Sequence, residues 1–170
     1  MRNPWQIMVR NQAGTNSYLT ILLAAALLAF SVEGATMSIF DVGKACVFSE
    51  VSGVVTYRGE PVPGATVRRI AKWQKEKQDS TTTDADGRFH FEPMYQRSAV
   101  KLIPAEFVAH QRLLIEHQGE EVLLWFTTKR STEENSELNG KPLKFTCELT
   151  NEPRFDRNYR ASIKTLCTWD

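Results

Sequence analysis

The stretch TTTDADGRFHF, Thr81 to Phe91, sets two aspartates and a glycine between a run of threonines and two alternating phenylalanines. Read as a cation loop, it would have to supply carboxylates or carbonyls at about six positions and a distal bidentate glutamate. It offers Asp84 and Asp86 and then enters a phenylalanine strand at once, so those ligands are missing. A tight turn needs only what is present: an aspartate to accept nearby backbone amides, and Gly87 to take the left-handed conformation. Asp84, Asp86 and Gly87 therefore read as a turn motif. On either side, Thr81–Thr83 carries strand propensity and RFHFE alternates, with Phe89 and Phe91 on one face and Arg88, His90 and Glu92 on the other.

Outward from this hairpin the same grammar repeats. SGVVTYRG reads as a strand, and GEPVPGATV as a turn built on Gly59, Pro61, Pro63 and Gly64. ATVRRIAKW alternates, with Ala65, Val67, Ala71 and Trp73 on one side, and KWQKEKQD reads as a solvated hairpin tip or loop. AVKLIP, FVAHQRLLIEH, EVLLWFTT, LKFTCELT and ASIKTLCTW all read as strands, with a tight turn at Gly119. RSTEENSELNGKP interrupts them; Ser131 and Glu134 have capping-box spacing, so a single helical turn or a polar loop fits. Short strands with Gly/Pro turns and no long helical period predict an all-β sandwich of about seven to nine strands. Its inward residues should include Val54, Val67, Phe89, Phe91, Leu102, Leu114, Leu124, Phe145, Leu149 and Ile163.

The N-terminal end reads differently. Arg2 and Arg10, with no acid among the first ten residues, precede the apolar run from Tyr18 to Val32. That order predicts a secretory signal peptide over 1–34, its helix preceding the sandwich. Val32 and Gly34 place cleavage after Gly34, with the bond after Ser31 as the alternative and Met8 as an alternative start. The run is short for a spanning helix, which needs about 20 residues. The expectation is a periplasmic or secreted protein with no membrane span after cleavage. Of 170 residues, removing 34 leaves 136 (35–170), enough for one domain with a core. Removing Arg2, Arg10 and Glu33 from 21 Lys+Arg and 20 Asp+Glu leaves 19 of each, a balance that speaks against nucleic acid as a partner.

A resemblance adds to this reading. VSGVVTYRGEPVPGATVRRI followed by TTTDADGRFHFEPM resembles the carboxypeptidase regulatory-like domain, through Gly53, Val55, Gly59, Pro61, Gly64, Ala65, Val67, Thr82, Thr83, Asp84, Asp86, Gly87 and Phe89. It implies a transthyretin-like (prealbumin-like) sandwich over 35–170 that serves as an accessory or binding module and carries no catalytic residues. CVFSEVSG, PAEFVAHQ and TKRSTEENSELNGKPLKFTCEL resemble a small family of uncharacterised exported bacterial proteins of this fold. Some exported proteins of this kind act as immunity partners of secreted antibacterial effectors.

Export would place Cys46, Cys147 and Cys167 in an oxidising compartment, and an odd count leaves one over. Cys147 with Cys167 is the expected disulfide, since both fall on the apolar side of alternating segments. Cys46 with Cys147 is the rival. No CxxC pair or neighbouring histidine suggests zinc. His90 should face water, and His110 and His117 lie on opposite faces of one strand. No nucleophile elbow or phosphate loop is present, so no catalytic, cofactor or metal residues are expected. The candidate interaction residues are Trp73, Lys129, Arg130, Glu133 and Glu134, together with Trp125 and Phe126; of the two tryptophans one belongs to the core. The expected function is a non-catalytic protein-interaction module whose partner is an envelope protein or a secreted effector, a lipase for example. An immunity protein occluding that effector and a carbohydrate-binding accessory domain, which needs an exposed aromatic row, are the alternatives.

Overall fold

A computed structural model describes residues 43–97 and 106–169, all within a compact unit spanning 40–170. The expectations for residues 1–34, for AVKLIP and for Leu102 lie outside the described residues. The rest is an all-β sandwich. Its strands are β1 (Lys44–Phe48), β2 (Val51–Tyr57), β3 (Glu60–Pro61), β4 (Thr66–Lys72), β5 (Glu76–Thr82), β6 (Arg88–Phe91) and β7 (Met94–Arg97). After the undescribed connection come β8 (Ala109–His117), β9 (Glu120–Lys129), β10 (Leu143–Glu148), β11 (Arg154–Asp156), β12 (Ile163–Thr165) and β13 (Cys167–Thr168). Thirteen strands among the described residues exceed the seven to nine expected, because β3, β11, β12 and β13 are pieces of two or three residues.

One sheet runs β13-β10-β2-β3 with β6 also paired to β2, and the other runs β11-β12-β9-β8-β4-β5, with β1 and β7 as a separate pair. The β2–β10 ladder is parallel over six residue pairs, from Val51↔Leu143 to Thr56↔Glu148. It joins the two ends of the domain, a link no hairpin could make.

Alternation explains most of the core. In β6, Phe89 and Phe91 are buried while Arg88 and His90 are exposed. In β10, Leu143, Phe145 and Cys147 are buried while Lys144 and Thr146 are exposed. Val67, Leu124 and Ile163 are buried as expected, and Trp125 stacks on Phe145 with ring centroids 4.9 Å apart.

Several expectations need correction. Val54 is half-buried on the outer face, and Val51, Gly53 and Val55 point inward instead. The phase is set by register: Gly53 lies opposite both Phe89 and Phe145, and a Cβ there would sit 2.8 Å from the Phe89 ring and from the Phe145 carbonyl oxygen. Leu149 is only half-buried, packed against the core. Leu114 is buried, but on the face opposite Leu113 and Ile115, across from Arg68. Of KWQKEKQD only Trp73–Lys75 forms the hairpin tip, because Glu76–Thr82 pairs with β4 along its whole length. The anchor is Arg69, 2% exposed on the inward side of β4, whose guanidinium donates to both carboxylate oxygens of Asp79 (3.0 and 2.6 Å) and to the Glu92 carbonyl (2.6 Å). The Phe91 ring lies 4.6 Å from it. A bidentate, stacked arginine is one of the few ways a charge enters a core.

The opening stretch folds as the turn its chemistry requires. Asp84 Oδ1 accepts the amides of Asp86 (2.9 Å) and Arg88 (2.8 Å), and the Asp84 carbonyl accepts the Gly87 amide (3.0 Å). Gly87 has φ 73°, and a Cβ there would lie 2.4 Å from the Val55 carbonyl oxygen, so glycine is demanded twice. A second carboxylate staples the far end of β2. Glu148 accepts the hydroxyls of Thr150 (2.6 Å) and Thr56 (2.8 Å) and the amides of Thr150, Gly59 and Arg58. The Thr150 hydroxyl first, then the Gly59 amide, hold its carboxyl far below the usual range.

Candidate functional site

Of the predicted interaction residues, Trp73, Arg130, Glu133 and Glu134 are half-buried or exposed and Lys129 is buried. Trp73 is half-buried against Phe107, with ring centroids 5.0 Å apart. Arg130 is exposed and paired with Glu106. Glu133 and Glu134 are exposed, and Glu134 accepts the Tyr95 hydroxyl. The capping box does not form: Ser131 Oγ accepts the Glu133 amide, and the one-turn 3-10 helix Ser136–Leu138 starts at Asn135 with no side-chain cap.

Lys129 is corrected outright. Its side chain is 0% exposed, as is that of Glu137, and their charges meet at 2.6 Å. The ammonium also donates to the Glu133 carbonyl (2.6 Å), Ser136 Oγ (2.7 Å) and Ser49 Oγ (3.2 Å). Glu137 in turn accepts the Ser49 amide and hydroxyl and the Gln111 amide nitrogen, while Gln111 accepts the indole N–H of Trp125. Burial pushes the Glu137 carboxyl up, but Lys129 and the bonds from Gln111 and Ser49 outweigh it, so the carboxyl stays below its ordinary value. Serine, lysine and glutamate side by side could suggest nucleophilic chemistry. Here both charges are sealed and engaged, so the cluster holds β1, β8, β9 and the 3-10 turn together.

The disulfide joins Cys147 to Cys167, directly opposite on β10 and β13 with Cα atoms 4.1 Å apart. Cys46 is free and buried, and burial raises its thiol to about 11, so it is held as the inert thiol. His90 faces solvent between Glu50 (3.8 Å) and Glu92 (3.2 Å). His110 is exposed, and His117 turns its ring toward Tyr57 (centroids 4.8 Å) on the other side of the strand.

What sequence reading half-located is the exposed aromatic. Trp125 is wholly buried; its neighbour Phe126 is 38% exposed and Phe155 63% exposed. Register sets them in one row across the six-stranded sheet: Phe155↔Lys164, Lys164↔Phe126, Phe126↔Arg112, Arg112↔Ile70. Directly opposite residues share a face. Two rings two strand spacings apart, about 10 Å, thus alternate with two cations. The Lys164 ammonium lies 5.9 Å from the Phe155 ring centre, and Arg112 reaches Glu76 at 3.7 Å. Ile70 at the end of this row and Leu114 on the same face are buried yet outside the main core. Nothing in the local sequence links Phe155 to Phe126; only the β9–β12–β11 pairing does.

No curated protein and no solved structure matches the chain. Residues 51–152, more than half of it, match a family described as a domain of unknown function, DUF6795. That span runs from β2 through the turn at Asp84 and the Lys129–Glu137 pair to the segment just after β10, and the chain belongs to the DUF6795 family.

Proposed function

We propose that this protein is a non-catalytic protein-interaction module, exported to the periplasm or beyond, that docks its partner on the outer face of the six-stranded sheet. The carrying observation is the row Phe155–Lys164–Phe126–Arg112, with rings 63% and 38% exposed. Exposed aromatics beside cations are the side chains that concentrate binding energy at protein interfaces, each central anchor being worth about 2 kcal/mol or more. A partner fits this face if it presents an apolar surface flanked by carboxylates. The sealing of Ser49, Lys129 and Glu137 takes one grouping with the makings of a nucleophile and a base away from any substrate, which supports binding over turnover there. The exported setting rests on the N-terminal pattern, and the Cys147–Cys167 disulfide is consistent with an oxidising compartment.

The test is an affinity capture of tagged protein from its native envelope, under non-reducing conditions with identification by mass spectrometry. It is run beside the Phe126→Ser/Phe155→Ser variant. A stoichiometric protein held by the unaltered chain and lost by the variant is expected. A secreted effector in that position makes the protein its immunity partner. Retention of a glycan, or of one protein by both chains, would overturn the reading.

A further inference from the structure

A second surface, on the opposite sheet, carries a different chemistry. The outer face of β2, β6 and β10 presents His90, Ser52 and Lys144 in one cross-strand row, since Ser52 lies opposite both of the others. Arg88 and Val54 form the next row. Thr81, Thr82 and Asp84, from the end of β5 and its turn, complete the lining of a recess of about 500 Å³. The rings of Phe89 and Phe145 point away into the core, so the floor is backbone and the half-buried Val54. A smaller recess of about 200 Å³ adjoins it and shares Ser52 and Lys144.

The donors around this recess are uncommitted. Among the described residues, the Lys144 ammonium and the hydroxyls of Ser52, Thr81 and Thr82 make no hydrogen bond to the protein. By contrast, the hydroxyl of the next residue, Thr83, donates to the Val62 carbonyl (2.6 Å) and accepts the Ala65 amide (2.9 Å). Acids also border it, since Asp84 lines this recess and Glu50 the smaller one. Asp84 Oδ1 is taken by the turn amides, and Glu50 and Glu92 flank His90. Asp86 touches Arg88 only loosely, at 3.9 Å. The recess thus offers a lysine with no ion pair among the described residues, an arginine with a weak one, and three free hydroxyls around a floor of backbone and Val54.

We propose that this recess binds a small oxyanion-bearing molecule, a carboxylate or phosphate on a sugar-sized scaffold. The arginine fork and the lysine point charge recognise the oxyanion, the hydroxyls take the scaffold's polar groups, and Val54 takes its apolar side. The volume lies within the roughly 300–1,000 Å³ of small-molecule sites. The site is independent of the Phe126–Phe155 face and can stand if that one fails.

The test is amide chemical-shift mapping of the purified protein against glucuronate, glucose 6-phosphate and neutral glucose, repeated with Lys144→Gln, Arg88→Gln and, as a remote control, Lys72→Gln. Shifts centred on Ser52, Thr82 and Lys144 are expected for at least one acidic probe. Affinity should drop about tenfold for glucose, for Lys144→Gln and for Arg88→Gln, and stay unchanged in Lys72→Gln. Because all three substituted residues lie on strand surfaces, their amide spectra also report that the fold is intact. Whichever acidic probe binds identifies the oxyanion. Shifts scattered over the surface, equal binding of glucose, indifference to Lys144→Gln, or no localised shift at millimolar acidic probe would overturn the proposal.

Discussion

Strand β9 carries two faces that invert the usual rule of what lies inside. Its inward side holds Trp125, Thr127 and Lys129, all buried, and its outward side holds Phe126, 38% exposed. A lysine is inside and a phenylalanine outside because the alternation of the strand is fixed by its neighbours, Leu113 opposite Trp125 and Ala109 opposite Lys129. The inner lysine is tolerated because Glu137, Ser49, Ser136 and the Glu133 carbonyl satisfy it. The outer phenylalanine satisfies nothing in the fold. On the proposed function the inner face serves stability and the outer one binding, and the two should separate under mutation.

The largest effect is expected on the inner face. Lys129→Met leaves the Glu137 carboxylate buried and unpaired and should cost about 3–5 kcal/mol in denaturant unfolding. Adding Glu137→Gln to it should recover part of the loss, and no recovery would show that the pair is not the reason. Cys147→Ser should cost about 3 kcal/mol, from a loop of 20 residues reopened. Cys46→Ser should leave the non-reducing electrophoretic mobility unchanged, since Cys46 is free. Gly53→Ala forces a methyl against the Phe89 ring and the Phe145 carbonyl and should cost about 1–3 kcal/mol.

Acid should weaken the fold through the carboxylates of Glu137 and Glu148. Both are held below the ordinary 4.5 in the folded state, so their contribution is present above that value and is lost as pH falls below it. Glu148→Gln should flatten the acid limb of stability measured between neutral pH and about 3. An unchanged limb would mean that the staple at Arg58 and Gly59 does not hold the hairpin. The smallest stability effect belongs to the outer face: Phe126→Ser/Phe155→Ser should stay within about 0.5 kcal/mol per site.

How much of this could be read from sequence follows the range of each interaction. The turn at Asp84–Gly87 was legible because every group it uses lies within four residues, and Phe89 and Phe91 because their strand alternates cleanly. The Cys147–Cys167 pairing followed from alternation near the C-terminus. Val54 was misplaced because Val54 and Val55 are equally apolar, and only the close packing of Gly53 with Phe89 and Phe145 sets the phase. Arg69 and Lys129 look like surface residues until their partners, Asp79 and Glu137, are brought in by pairing and by the 3-10 turn. The two candidate surfaces were the least legible. Ser52, Arg88, His90 and Lys144 meet only through the parallel β2–β10 ladder and the antiparallel β2–β6 pairing, and Phe155 reaches Phe126 only across β12.

The central claim is that the outer face of β9 serves binding and leaves stability untouched. The measurement that meets it most directly is a paired titration of the captured partner against the unaltered protein and against Phe126→Ser/Phe155→Ser, with thermal unfolding of both. Affinity reduced about a thousandfold, as the loss of two anchors of about 2 kcal/mol each requires, with an unfolding temperature shifted by no more than a few degrees, is the predicted result. Equal affinity in the two proteins would contradict it, as would a loss of affinity matched by a loss of fold.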